Sequence, residues 1–296
     1  MAPHPHLSDI DRLSRKIVPG TGRVHIEPLS SGLFDETYRV ERGGRAYALR
    51  VALPRSQVPG PDRFWEAQVL ECAARSALAP PVLHADPERG VLLTGWVPGR
   101  SWTAEEAGRS ANIPKVAAML RRVHALRAPT PTRILSPMAW VDLYSAALAG
   151  SKRRGDPSLR SAAAARSAEL GSLPRPEATL CHSDLHPMNL IEFEDSLLLL
   201  DWEYAHVSEP FWDLAGWSAN NDLPGGSRHE LLMSYLGTAP SPAERSRLEL
   251  LIWLYDYVCL LWSGLYLSLR GDPAGDVSTR ATQLDARLRV PAHYSV

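Results

Sequence analysis

The chain is short of cysteine, of net charge and of repeated sequence, and each shortage removes a class of protein. Three cysteines occur in 296 residues: Cys72, Cys181 and Cys259. Their odd number and wide spacing fit neither a disulfide framework nor a zinc knuckle, so they read as buried, reduced thiols of a cytoplasmic protein. A formal net charge of −1 supplies no basic field, and nucleic acid is not an expected partner. The opening MAPHPHLSDIDRLSRK lacks the apolar core of a signal peptide. No repeat, heptad array or low-complexity tract occurs, although 25 prolines imply many short, stiff connections. Long apolar runs are scarce. The exception, LELLIWLYDYVCLLWSGLYLSL from Leu248, is long enough to span a bilayer but carries Asp256 near its middle, at an insertion cost of about 2.5–3.5 kcal/mol. It reads as a buried core helix, and no membrane partner is expected.

What is present divides into two patterns, and the length suits two medium domains. After a helix over residues 9–17, VHIEPL, TYRVE and AYALRV read as strands separated by the turn signals SSG and RGG. PDRFWEAQVLECAARSALA (61–79) reads as a helix with Pro61 near its first turn. PVLHA and VLLTGWV add two strands around a DPERG turn. This predicts an α+β protein: a small five-stranded antiparallel lobe with one helix over 1–94, a hinge at 95–99, and a larger, mainly α-helical lobe over 100–296. The helical pattern begins after Ser101, with NIPKVAAMLRRVHAL, PMAWVDLYSAALAG and PSLRSAAAARSAEL as its clearest runs. Two or three further helices fill the last third, including an apolar one from Glu244 to Leu269 and a polar one from Ser278 to Leu288.

The chemistry concentrates between Leu180 and Trp217. A polar loop holds His182, Asp184 and Asn189 between two apolar runs, and Asp201 follows where the second run ends. Phosphoryl transfer needs a carboxylate beside the attacking hydroxyl and oxygen ligands for the Mg²⁺ that bridges the phosphates. Asp184 suits the first role. Asn189, five residues on, and Asp201, returned by a hairpin over LIEFEDSLLLLD, suit the second. His-x-Asp-x-x-x-x-Asn followed by a hairpin and an Asp matches a kinase catalytic loop and its metal-binding Asp. Asp213 lies on a largely apolar helical segment, where it either braces the loop's N–H groups or is an ordinary first-turn acid. Elsewhere, SSGLFDET (30–37) is either a plain hairpin loop or a phosphate cradle in which Ser30, Ser31 and Gly32 take part. Arg50 is either a surface cation or one that points into an interlobe cleft, within reach of Glu66 or Glu71. Backbone groups of GWVPG, at Gly95 and Val97, are placed to read an adenine edge.

HSDLHPMN, LLLLDWEYA and EPFWDLA together resemble the aminoglycoside phosphotransferase and choline kinase superfamily. The DWEYA form is most similar to its choline, ethanolamine and thiamine kinase-like branch. SSGLFDETYRV, YALRV and LTGWVPG are similar to that branch's nucleotide loop, phosphate-binding strand and hinge, so the resemblance covers most of the chain. It implies a bilobal protein-kinase-like fold that uses ATP and Mg²⁺. By the same resemblance Asp184 is the base, Asn189 and Asp201 are metal ligands, and Arg50 contacts ATP phosphates with Glu66 as its partner. His182 and Asp213 support the loop. Arg in place of Lys on the third strand presents a planar fork. Trp202 and Glu203 after the metal Asp speak against a mobile activation segment.

The implied substrate is a small hydroxylated molecule bearing an amine. Aromatic faces hold such cations at about 0.5–2 kcal/mol per contact. Tyr255, Trp262 and Tyr266 fall on one helical face, either as core packing or as a box for the cation, with Glu203, Asp256 and Asp222 as sources of negative charge. The rival readings are an aminoglycoside O-phosphotransferase, which needs a broader acidic surface, and a non-catalytic nucleotide-binding scaffold.

Overall fold

The structure, a computed structural model, describes residues 7–31, 35–53, 59–153, 155–194, 196–272, 274–294 and 296. In chain order the first elements are α1 (Leu7–Ile17), β1 (His25–Ser31), β2 (Asp35–Arg42), β3 (Arg45–Ala52), α2 (Arg63–Arg75), β4 (Val82–Asp86) and β5 (Val91–Gly95). There follow β6 (Arg100–Ser101), α3 (Ala104–Gly108), α4 (Ile113–His124), α5 (Pro137–Ala147), α6 (Pro157–Ser172) and β7 (Thr179–Cys181). The remainder is β8 (Leu190–Phe193), β9 (Ser196–Leu199), β10 (His206–Ser208), α7 (Phe211–Asn220), α8 (Gly225–Leu236), α9 (Pro242–Arg270) and α10 (Asp276–Leu288).

Two compact units result, Met1–Arg100 with Ile191–Glu203, and Ser101–Leu190 with Tyr204–Val296. In the first, the five strands form one antiparallel sheet in the order β1-β2-β3-β5-β4. Period-two burial sets its faces. Tyr38, Val40, Tyr47, Leu49, Val91 and Leu93 form one core with Ile10 and Val18 at α1. Arg50, one position out of phase with Leu49, therefore turns to the opposite face. On α2, Asp62 is the N-cap and accepts from the Phe64 and Trp65 amides, so Pro61 stands just ahead of the cap. The helix buries Trp65, Glu66, Val69, Leu70 and Ala73.

Residues 191–203 fall in this first unit, whereas the sequence pattern had placed them within 100–296. Backbone pairing explains the assignment: the Leu199 amide donates to the Leu78 carbonyl at 2.8 Å. Gly99 also lies so close to the hairpin that a β-carbon there would sit 2.3 Å from the Glu192 carbonyl oxygen. The β8–β9 hairpin thus delivers Asp201 to Arg50 on the five-stranded sheet.

The second unit is helical. Its α9 starts with a capping box, Ser241 and Glu244 bonding reciprocally, with Pro242 in the first turn. The apolar stretch of α9 is 72% buried, packed by α5, α6, α7 and α10, as a core helix is. Every residue of α7 from Phe211 to Ala219 is buried. Of the cysteines only Cys181 is buried; Cys72 and Cys259 are partly exposed, and all three are free thiols. The expectation of three buried thiols is corrected on that point, because helical periodicity turns Cys72 and Cys259 toward the edges of their helices' buried faces.

Candidate functional site

Two clusters carry the chemistry, one in each unit. In the first unit Arg50 pairs with Glu66, with Asp201 at 2.7 Å and with Asp35 at 3.6 Å. Arg63, one helical turn before Glu66, binds the same acids: Glu66 at 2.9 Å, Asp35 at 2.8 Å and Glu203 at 3.0 Å. Burial opposes ionisation of Glu66, but Arg50 and Arg63 outweigh it and hold the carboxyl below its usual range. Glu71 is exposed and pairs with Arg75 at 3.5 Å, which settles Glu66 as the partner of Arg50. Arg63 and Asp35 were missed in the sequence. An Arg three residues before a buried Glu, at helical i,i+3 spacing, was the available signal for Arg63.

Glu203 does not sit where a substrate-facing role requires. It is buried and bonded to Arg63, and burial followed by the nearby Asp201 and Asp35 carboxylates pushes its carboxyl well above the ordinary range. Asp201 takes a left-handed backbone, φ +58°, a conformation that costs a non-glycine residue about 1–3 kcal/mol and often marks a functional position. The Gly95 amide donates to the Pro81 carbonyl at 2.9 Å, so of the backbone groups expected to meet adenine at this residue the amide is already engaged. Ser30 and Ser31 end β1 opposite Thr37 and Glu36; Gly32 lies outside the described residues.

In the second unit the 182–189 loop is held from several sides. The Asp213 carboxylate accepts the His182 amide at 2.8 Å and the Ser183 amide at 2.7 Å, and meets His124 Nε2 at 3.1 Å. It is fully buried. Burial raises the pKa of Asp213, yet His124, His182 and these amides bring it below its normal value, so it is an anionic brace. Ser183 is left-handed, φ +71°. The Asp184 amide donates to His182 Nδ1 at 3.3 Å. The Asn189 side-chain amide donates to the Asp184 carbonyl at 3.0 Å and to its carboxylate at 3.1 Å, and His186 lies 3.6 Å from that carboxylate. Burial works against the charge on Asp184, but His186, His182 and Asn189 prevail and keep it ionised at neutral pH.

With its NH₂ group spent on Asp184, Asn189 has its Oδ1 left over, and Asp201 is 39% exposed at the side chain. An amide oxygen and a carboxylate are hard donors of the kind Mg²⁺ prefers, so each residue, within its own unit, has the donor chemistry for that ion.

The aromatic stripe is split by the structure. Trp262 donates from Nε1 to the Tyr204 hydroxyl at 2.9 Å and stacks on Tyr266 with centroids 5.4 Å apart. Trp140 lies 5.9 Å from Tyr204. Tyr255, by contrast, turns away to hydrogen-bond the 182–189 loop. Asp256 is fully buried, bound to Arg287 and to the Tyr294 hydroxyl at 2.9 Å, and Asp222 meets Arg287 at 3.0 Å. Both acids pair with Arg287 of α10; the burial of Asp256 corrects the expectation that it attracts a substrate, whereas the Asp222 side chain is 67% exposed.

Residues 25–250 match the phosphotransferase enzyme family. The chain belongs to that family. It is a kinase-type phosphotransferase, and its fold is that of choline kinases and antibiotic phosphotransferases. A choline/ethanolamine kinase family protein from Mesorhizobium loti is 25% identical, with a TM-score of 0.77 over 96% of this chain and 94% of that one. The choline kinase LicA from Streptococcus pneumoniae, solved with AMP, is 20% identical with a TM-score of 0.77 over 99% and 100%. A macrolide 2'-phosphotransferase from Brachybacterium faecium is 18% identical, with a TM-score of 0.64 over 93% and 97%. No curated protein sequence matches the chain.

Proposed function

We propose that this phosphotransferase moves the γ-phosphoryl group of ATP to the hydroxyl of a small, amine-bearing alcohol of the choline, ethanolamine or thiamine kind. The observation that carries the reading is the ionised Asp184, locked by Asn189 and His186 on a loop braced by Asp213. Such a carboxylate accepts the acceptor's proton as its oxygen attacks phosphorus. Asn189 and Asp201 would each supply an oxygen to Mg²⁺, which would neutralise charge on the phosphates. Arg50, kept in place by Glu66, binds phosphate oxygens as a planar fork. Ser30, Ser31 and Val97 complete the nucleotide site; the expected role of Gly32 lies outside the described residues. Transfer is direct, and no phospho-enzyme forms.

The Trp262–Tyr266 pair with Tyr204 offers aromatic faces for an ammonium group. The burial of Asp256 against Arg287 removes one carboxylate that a polyamine sugar could use, which favours the small cation over an aminoglycoside. An antibiotic acceptor stays as the second reading on the likeness to the macrolide enzyme. ADP release from Mg·ATP is to be measured across choline, ethanolamine, thiamine, amino sugars, an aminoglycoside and a macrolide. Turnover is expected with a small amino alcohol. Turnover with an antibiotic alone supports the second reading, and silence across the panel with ATP still bound supports a scaffold.

A further inference from the structure

Asp184 follows a residue whose backbone is clamped at both ends, and only one clamp belongs to the Asp213 brace. The Ser183 amide is taken by Asp213 on α7. Its carbonyl accepts from the Tyr255 hydroxyl on α9 at 3.3 Å. That carbonyl and the Asp184 amide share one planar peptide unit, and the amide end is held by His182 Nδ1. The plane from which the Asp184 side chain springs is thus pinned on both edges. Asn220, at the end of α7, joins the same arrangement: its Nδ2 donates to the Leu185 carbonyl at 2.9 Å and to the Tyr255 hydroxyl at 3.1 Å.

Two further features show that the phenol's place is built. Its ring packs on Trp212 with centroids 5.0 Å apart. It also lies directly over Gly216, where a β-carbon would come within 2.9 Å of ring atom Cε2. Glycine on an otherwise fully buried helix face leaves room for that ring. Burial raises the phenol's pKa well above its ordinary value, so the group remains a donor throughout the working pH range.

We infer that Tyr255, seated on Gly216 and joined by Asn220, is a positioning residue that fixes the left-handed Ser183 peptide and thereby aims the Asp184 carboxylate. The inference rests on the phosphotransfer reading above, since it assigns Tyr255 a share in setting that reaction's rate. A left-handed serine is costly enough to relax when one clamp is lost, and a misdirected base lowers turnover without loosening nucleotide.

The test compares wild type, Tyr255→Phe, Gly216→Ala and Asp184→Asn. ADP release from Mg·ATP with water as acceptor gives kcat and KM, and hydrogen–deuterium exchange follows the peptide 180–190. Removal of the hydroxyl is expected to lower kcat about tenfold, with KM for Mg·ATP unchanged within about twofold. Exchange at the loop should be faster. Gly216→Ala should reproduce both effects by displacing the ring, and combining the two substitutions should add little. A folded Tyr255→Phe enzyme with wild-type kcat, or with unaltered loop exchange, overturns the inference. So does a rise in KM at constant kcat, which would make Tyr255 a binding group. If Asp184→Asn turns over normally, the phosphotransfer reading itself fails, a result distinct from failure of the brace.

Discussion

Asp256 and Arg287 form a buried ion pair in the middle of α9, and the pair separates two accounts of the same carboxylate. Taking Asp256 away leaves the guanidinium, 9% exposed, with the outlying Asp222 as its remaining carboxylate and the Ala219 carbonyl at 3.4 Å. Asp256→Ala is therefore expected to cost about 3 kcal/mol of stability by denaturant titration, while KM for the phosphate acceptor stays unchanged. A rise in acceptor KM with full stability would restore the substrate role. Placement that depends on local spacing was legible in the sequence: Asp184 and Asn189 lie on a short loop and Asp201 follows a hairpin. Asp213 was legible as a buried acid, and the structure supplies the amides that it binds. The work of Tyr255, Arg63 and Glu203 was not legible. It depends on partners 72 residues away for Tyr255 and 140 away for Arg63 with Glu203, and no local pattern encodes those separations.

At the scale of elements, the β8–β9 hairpin is the part on which the proposed metal site depends, because it carries Asp201 to Arg50. Its seat depends on Gly99, whose missing side chain admits the Glu192 carbonyl and the Ile191 side chain. Gly99→Ala is expected to lower stability by about 1–3 kcal/mol through overpacking, read as a shifted denaturation midpoint. An unchanged midpoint would show that the hairpin yields easily. The five strands of the sheet, α2 and α4–α6 follow from period-two or helical patterning, and α9 matches the expected apolar helix from Glu244 to Leu269 at both ends within two residues. The membership of residues 191–203 in the first unit did not follow from patterning, because the Leu199–Leu78 hydrogen bond joins backbones, which carry no sequence signature. The opening Gly-Gly of α8 likewise hides that helix, since glycine weakens helical propensity.

For the molecule as a whole, pH reports on the buried network beneath the 182–189 loop. His206 accepts the Trp140 indole N–H at Nε2, 3.5 Å, and its Nδ1 lies 2.9 Å from the Tyr204 carbonyl, which can only accept. The ring is therefore neutral with its proton on Nδ1, and burial pushes its pKa down from 6.5 to about 4. The unfolded chain takes up this proton first as pH falls. Stability from His206 is thus complete above pH 6.5 and is lost as pH drops toward 4, by about 3 kcal/mol. His206→Asn should flatten that part of the stability–pH curve; an equal slope in the variant would assign the loss to other groups. Family membership, the two units and the braced loop all bear on one central claim, that Asp184 is the base of a direct phosphoryl transfer. The most direct measurement is the single-turnover rate of ADP formation from Mg·ATP and the acceptor identified by the panel, for wild type and Asp184→Asn. The isosteric change should leave ATP affinity and the fold intact and lower the rate about 10²–10⁴-fold; a folded Asp184→Asn enzyme that transfers phosphate at the wild-type rate would contradict the account.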